Sequence, residues 1–174
     1  YDVYRMTTGM GKSMQELLAA SVELNVVDGV ILPNLKMQGA EEACAYLDGE
    51  GRCSIHPYRP GICRLFPLGR YYENGGFSYF LQTGECAKEN RSKIKVSKWI
   101  DTPDLTRNQQ FTLQWHDLLH AMEERLTGED EGKQREENLL LLRLFYLLPY
   151  EGTIDFYTQF TERMEHWNGQ NGQI

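Results

Sequence analysis

Three of the chain's four cysteines fall between positions 44 and 67, in the run CAYLDGEGRCSIHPYRPGICRLFP. Three of its six prolines lie there too, among several Gly and Arg residues. So many turn formers exclude a long helix or a central strand. So many Cys, Tyr, Phe and Leu residues exclude an idle linker. Cys86 follows downstream, giving the spacing C-x8-C-x9-C-x22-C. Four thiolates meeting at one point suit tetrahedral zinc or an iron–sulfur cluster. Cys44, Cys53, Cys63 and Cys86 are therefore the candidate metal ligands. The spacing is not the double CxxC of a zinc ribbon, so two other readings stay open. The cysteines could be buried thiols packed as small apolar groups, or two disulfides in one of three pairings. Their concentration, in a chain long enough to need no covalent staple, favours metal in a reducing, cytoplasmic compartment.

Other side chains rank below these. His56, alone beside Pro57, is a weaker candidate ligand than any of the four cysteines. His116 and His120 stand four apart, a metal-capable spacing, but no HExxH carboxylate accompanies them, and exposed surface is the expectation. Arg59 and Arg64 flank Cys63, where cations and a helix end favour thiolate over thiol. With Arg70 they are also placed to hold an anion or to pair with Asp48, Glu50 or Glu73. Lys88, Arg91, Lys93, Lys95 and Lys98 form a basic patch. Interleaved aromatics are missing until Trp99, which reads as a solvated face rather than a nucleic-acid surface. There is no phosphate loop, dinucleotide fingerprint or nucleophile elbow, so no catalytic residue is assigned.

The elements that must position the cysteines follow from pattern and turn chemistry. A chain of 174 residues, 41% hydrophobic and 25% charged, holds one core-forming unit, and its net charge of −7 argues against nucleic acid or anionic membrane as a partner. No apolar run reaches the roughly 18 residues of a membrane span; 139–148 is interrupted by Arg143. No signal peptide is visible. The chain opens on Tyr1 rather than Met, so further residues are expected ahead of it. A short helix is predicted over 1–8, stopping at Gly9. Ser13 and Glu16 form a capping box for a second helix to about Ala20. Asp28-Gly29 marks a hairpin turn, and Pro33 confines the following strand to an edge. Further hairpins are expected around 48–52 and 74–76, with helical turns over 58–65. From Ser97 the period becomes helical. Phe111, Trp115, Leu118, Leu119, Met122 and Leu126 form one stripe. Residues 127–133 break it, 135–148 form a buried helix ended by Pro149, and Tyr157, Phe160, Met164 and Trp167 line a last one. The fold class is α+β and mostly helical. A small Cys-rich half of hairpins and short helices (1–98) precedes three C-terminal helices (99–174) packed on it as one structural unit.

The segment CSIHPYRPGICRLFP resembles the second half of the YkgJ-like cysteine-cluster family, whose members are described as zinc- or iron-chelating. The family's order is a Cys, an Ile-Tyr pair, an Arg-Pro, then a Cys-Arg with an aromatic-Pro. The matching residues here are Cys53, Ile55-His56, Arg59-Pro60, Cys63-Arg64 and Phe66-Pro67. Cys44 is similar to the ligand ahead of the hairpin, and Cys86 to the late cysteine. The resemblance covers roughly residues 1–98. His56 stands where the family has Tyr, and the opening CxxCxxCC cluster belongs upstream of residue 1. The resemblance implies metal binding, with an iron–sulfur cluster ahead of zinc. Through the family's relation to flagellin lysine methylase it also implies an alternative, an iron–sulfur-dependent protein-modifying enzyme. A third reading makes zinc a structural staple and the helices an adaptor surface for a protein partner.

Overall fold

The computed structural model describes residues 1–85 and 92–171, the last of these by its backbone alone. Helices hold 51% of the described residues and small antiparallel hairpins and bridges 18%, an α+β fold that is mostly helical. No helix among the described residues is long and apolar enough to cross a membrane. The chain forms two compact units, one from Tyr1–Arg59 with Leu119–Ile174 and the other from Pro60–Leu118.

The first unit begins with α1 (Asp2–Met10) and α2 (Met14–Ala20). The expected stop at Gly9 is corrected: α1 continues to Met10 and ends where Gly11 turns left-handed at φ 63°. Gly9 is glycine for another reason. The ring of Tyr58 lies on it, so close that a Cβ would stand 2.1 Å from Cδ1. The capping box of α2 forms as its sequence implies. The Glu16 amide donates to Ser13 Oγ at 3.2 Å, and the Ser13 amide donates to Glu16 Oε2 at 2.8 Å.

Strands β1 (Val22–Val27) and β2 (Val30–Leu35) pair antiparallel in the register Val27↔Val30 to Val22↔Leu35. Asp28 and Gly29 both take positive φ between them, the backbone of a tight hairpin turn. Met6, Met14, Leu17, Val22 and Ile55 bury together as the core beneath these elements. Two short strands follow, β3 (Met37–Gln38) and β4 (Ala43–Cys44), paired with each other.

The C-terminal helices complete this unit. Helix α6 (Glu131–Leu142) starts at Asp130, whose carboxylate accepts the amides of Gly132 and Lys133. Asn138 on α6 clamps the first hairpin turn, accepting the Ile31 amide at 2.7 Å and donating to the Gly29 carbonyl at 3.0 Å. The predicted continuous helix over 135–148 is instead α6 followed by a π-helical turn, Arg143–Leu147. Against this turn lies Arg163 on α7 (Phe156–Asn171), which is buried. Its guanidinium donates to the carbonyls of Leu144, Leu148 and Pro149 at 2.6, 3.1 and 2.9 Å and lies over the Tyr150 ring at 3.6 Å. Phe145 packs beside Phe160 and Trp167 below it.

The second unit contains α3 (Gly61–Leu65), β5 (Leu68–Glu73), β6 (Gly76–Leu81), α4 (Val96–Ile100) and the first part of α5 (Leu105–Leu126). Strands β5 and β6 pair around Asn74 and Gly75, both at positive φ, where the sequence predicts a turn. Gly69 lies flat under the Phe80 ring, with room for no Cβ. His116 on α5 is not the exposed surface residue expected. It is half-buried and stacks on Tyr72, ring centroids 3.8 Å apart at 12°.

Candidate metal centre

Cys44 and Cys53 are placed by different devices on the two sides of one turn. Cys44 closes β4 opposite Met37. Cys53 stands opposite Leu47 in a single antiparallel bridge. Between them the expected hairpin around 48–52 is reduced to that bridge, because Asp48 folds the chain back locally. Its Oδ1 accepts the amides of Glu50 and Arg52, each at 2.9 Å, while its own amide donates to the Arg52 carbonyl. The bond from the Arg52 amide is the main reason the Asp48 carboxyl is held below its ordinary range. Arg52 also reaches Asp48 at 3.5 Å and Glu50 at 2.5 Å. The turn is thus fixed by the acidic residues of the DGEG sequence, and the arginine answers their charge.

Both thiols are half-buried. Cys53 packs against the Met6–Met14–Leu17 core, next to Tyr46. Tyr46 anchors the turn from below, with its carbonyl accepting from the Ser54 amide and hydroxyl, and its own hydroxyl 2.5 Å from Ser21 Oγ. His56 opens a 3-10 turn (His56–Tyr58) and is exposed; its amide donates to the Cys53 carbonyl. The same turn is tied to α1 by Arg5, whose Nη2 donates to the Pro57 carbonyl at 2.5 Å.

Cys63 belongs to the other unit and is exposed on α3, with Arg64 beside it buried. Pro60 is the N-cap of α3, so the helical turns expected over 58–65 are the 3-10 turn His56–Tyr58 followed by α3 over Gly61–Leu65. Trp99 of α4 braces the C-terminal end of α3, its Nε1 donating to the carbonyls of Phe66 and Leu65 at 3.0 and 3.4 Å. The Phe66–Pro67 peptide is cis. The role of Trp99 is invisible in the sequence, where it stands as a lone aromatic after a basic patch.

Cys44, Cys53 and Cys63 form no disulfide. Cys86 lies outside the described residues. Among the described residues no three His, Cys, Asp or Glu side chains gather in a metal-holding group. His120 is occupied with Glu123 and Glu124, at 3.6 and 3.7 Å, along its own helix. What the described cysteines offer a metal is chemistry: three thiols outside disulfides, set in turn-rich backbone.

The family model described as "CxxCxxCC: Putative zinc- or iron-chelating domain" matches residues 7–99, more than half of the chain. All four cysteines lie inside the matched segment. No curated protein matches the chain, and no solved structure does.

Proposed function

This chain belongs to the CxxCxxCC family, and on that premise we propose that it chelates zinc or iron through Cys44, Cys53, Cys63 and Cys86, in a reducing, cytoplasmic setting. The observation that carries the reading is that every cysteine of the chain falls within the matched segment and none of the described three is spent in a disulfide. Such thiols are the donors both metals take, once deprotonated. An iron–sulfur cluster is the form we prefer, on the family's relation to flagellin lysine methylase, since an all-sulfur donor set suits zinc equally. Bound metal would stabilise the segment that carries the thiols, since ligands distant in sequence are ordered only by meeting at the ion.

Anaerobic purification followed by metal analysis and an absorption spectrum tests this directly. Sulfur-to-iron charge-transfer bands with stoichiometric iron support the cluster. Colourless protein with stoichiometric zinc supports the ion. Folded protein that holds neither metal, even after reconstitution, refutes chelation. Cys63→Ser is expected to lower metal content and thermal stability together. Wild-type metal content in that variant would remove Cys63 from the ligand set.

A further inference from the structure

The unit built from the two ends of the chain contains a cleft of about 230 Å³ between α1, the start of α2 and the chain that leaves the π-helical turn. Val3, Met14, Leu147 and Pro149 give it apolar walls, with the tyrosines 146 and 150 among them. Lys12 is the one charged side chain among its described lining residues. The Glu16 carboxylate, which accepts from the Ser13 amide and hydroxyl, also feels the Lys12 charge.

The wall is costly backbone. A π turn breaks the regular helical ladder, and such turns recur at functional sites. Here it is held by the guanidinium of Arg163, a buried cation spent on three main-chain carbonyls. Burial pushes the Tyr146 phenol far above the ordinary tyrosine range and the Tyr150 phenol up to about 12. Like any phenol at physiological pH, both rings are neutral and set no charge against an anion. A concave, mostly apolar site with few converging polar groups is the usual form of a small-molecule pocket.

We propose that this cleft binds a small carboxylate with an apolar body, its charge on the Lys12 ammonium and its body against Tyr146 and Leu147. At a water's share of roughly 30 Å³, the volume equals about eight waters, which sets the ligand at around ten heavy atoms. The site is separate from the cysteines and does not depend on their metal.

Saturation-transfer NMR on the intact chain, with 3-phenylpropionate as probe and 3-phenylpropylamine as its cationic counterpart, tests the proposal. The carboxylate is expected to bind with a dissociation constant of about 1 mM or tighter, and the amine not to bind. Lys12→Glu is expected to weaken the carboxylate about tenfold or more, because it replaces attraction with repulsion. Gly152→Leu is expected to abolish binding by filling the cleft that Gly152 lines. Gly152 has an ordinary φ, and a Cβ there meets Thr8 at 3.5 Å, a normal contact, so the variant should fold. Equal binding of the amine, undiminished binding in both variants, or no saturation of the carboxylate would each overturn the assignment. Metal content should be unchanged in both variants, which keeps this test apart from that of chelation.

Discussion

Replacing Gly9 by Ala sets two opposing effects on one methyl group. Ala is favoured over Gly by about 1 kcal/mol in a helix interior. Gly9 is the penultimate residue of α1, so about half of that gain is expected there. Against it, the new Cβ would stand 2.1 Å from Tyr58 Cδ1 and 2.6 Å from Cγ and Cε1. Carbon atoms rest about 3.5 Å apart or more, so the ring must retreat by roughly 1.5 Å. Its base cannot drift freely, because the Tyr58 amide donates to the Ile55 carbonyl at 2.7 Å and Arg5 holds Pro57 alongside. Overpacking of this kind costs about 1–3 kcal/mol, and the 36% exposure of Tyr58 puts it at the lower end. Gly9→Ala is thus expected to destabilise by about 1 kcal/mol. In a Tyr58→Ala background the same change should stabilise by about half a kcal/mol, a coupling of roughly 1.5 kcal/mol between the two sites. Urea unfolding of the four variants, followed by circular dichroism, measures it. With a slope near 1–3 kcal/mol/M, the single variant's midpoint should fall by about half a molar. A rise in midpoint for Gly9→Ala in the native background would refute the reasoning, since helix propensity alone predicts that sign.

Two further outcomes follow from named contacts. Arg163→Met should cost about 3 kcal/mol, near 1 kcal/mol for each of three carbonyls left without a donor, and should speed amide exchange over 143–148; unchanged exchange there would show that the π turn stands without the guanidinium. The Ser13 amide, with the Ser13 hydroxyl second, holds the Glu16 carboxyl below its ordinary 4.5. Because the folded value is depressed, this stabilisation is complete above pH 4.5 and disappears as pH falls through the depressed value. The Ser13 amide resonance should titrate with a midpoint below 4.5, and Glu16→Gln should remove that step; a midpoint at or above 4.5 would refute the pairing.

The elements that were legible in the sequence are those governed by neighbours along the chain. The Ser13–Glu16 box, the Asp28-Gly29 and Asn74-Gly75 turns, and the long stripe through Met122 each carry their cause within a few residues. The elements that differ are set from far away. Gly9 lies inside α1 rather than ending it, and Tyr58, 49 positions on, fills the space a side chain would take there. Where the buried helix ends in a π turn, Arg163 donates to the Leu144 carbonyl within it and to two carbonyls beyond it, and a cation within an apolar stripe reads as solvent-facing in any periodic scheme. The turn at Asp48 defeats the hairpin expectation differently. An Asp side chain that takes two amides for itself competes with the cross-strand ladder that alternation implies. The candidate ligands were legible as residue types, because cysteines concentrate visibly. Their arrangement was not, since C-x8-C-x9-C spacing fixes no register.

The backbone that carries Cys44 also carries little else to hold it. From Met37 to Arg52 no side chain is buried. The segment is tied down by the Met37↔Cys44 and Leu47↔Cys53 pairings, the Asp48 turn, and Tyr46, which touches Ser21 and packs against the apolar core. The polar bonds among these contribute about 1 kcal/mol each, because water competes for the same groups. Cys53, by contrast, borders the apolar core through which α1 and α2 are fixed. The two cysteines therefore sit at a boundary, one on loosely braced chain and one against packed side chains. A metal bound to both, under the proposed ligation, would join the weaker side to the stronger. Its binding free energy would then appear as local order in 37–52, where no side chain is buried, rather than as added strength in helices that pack without it.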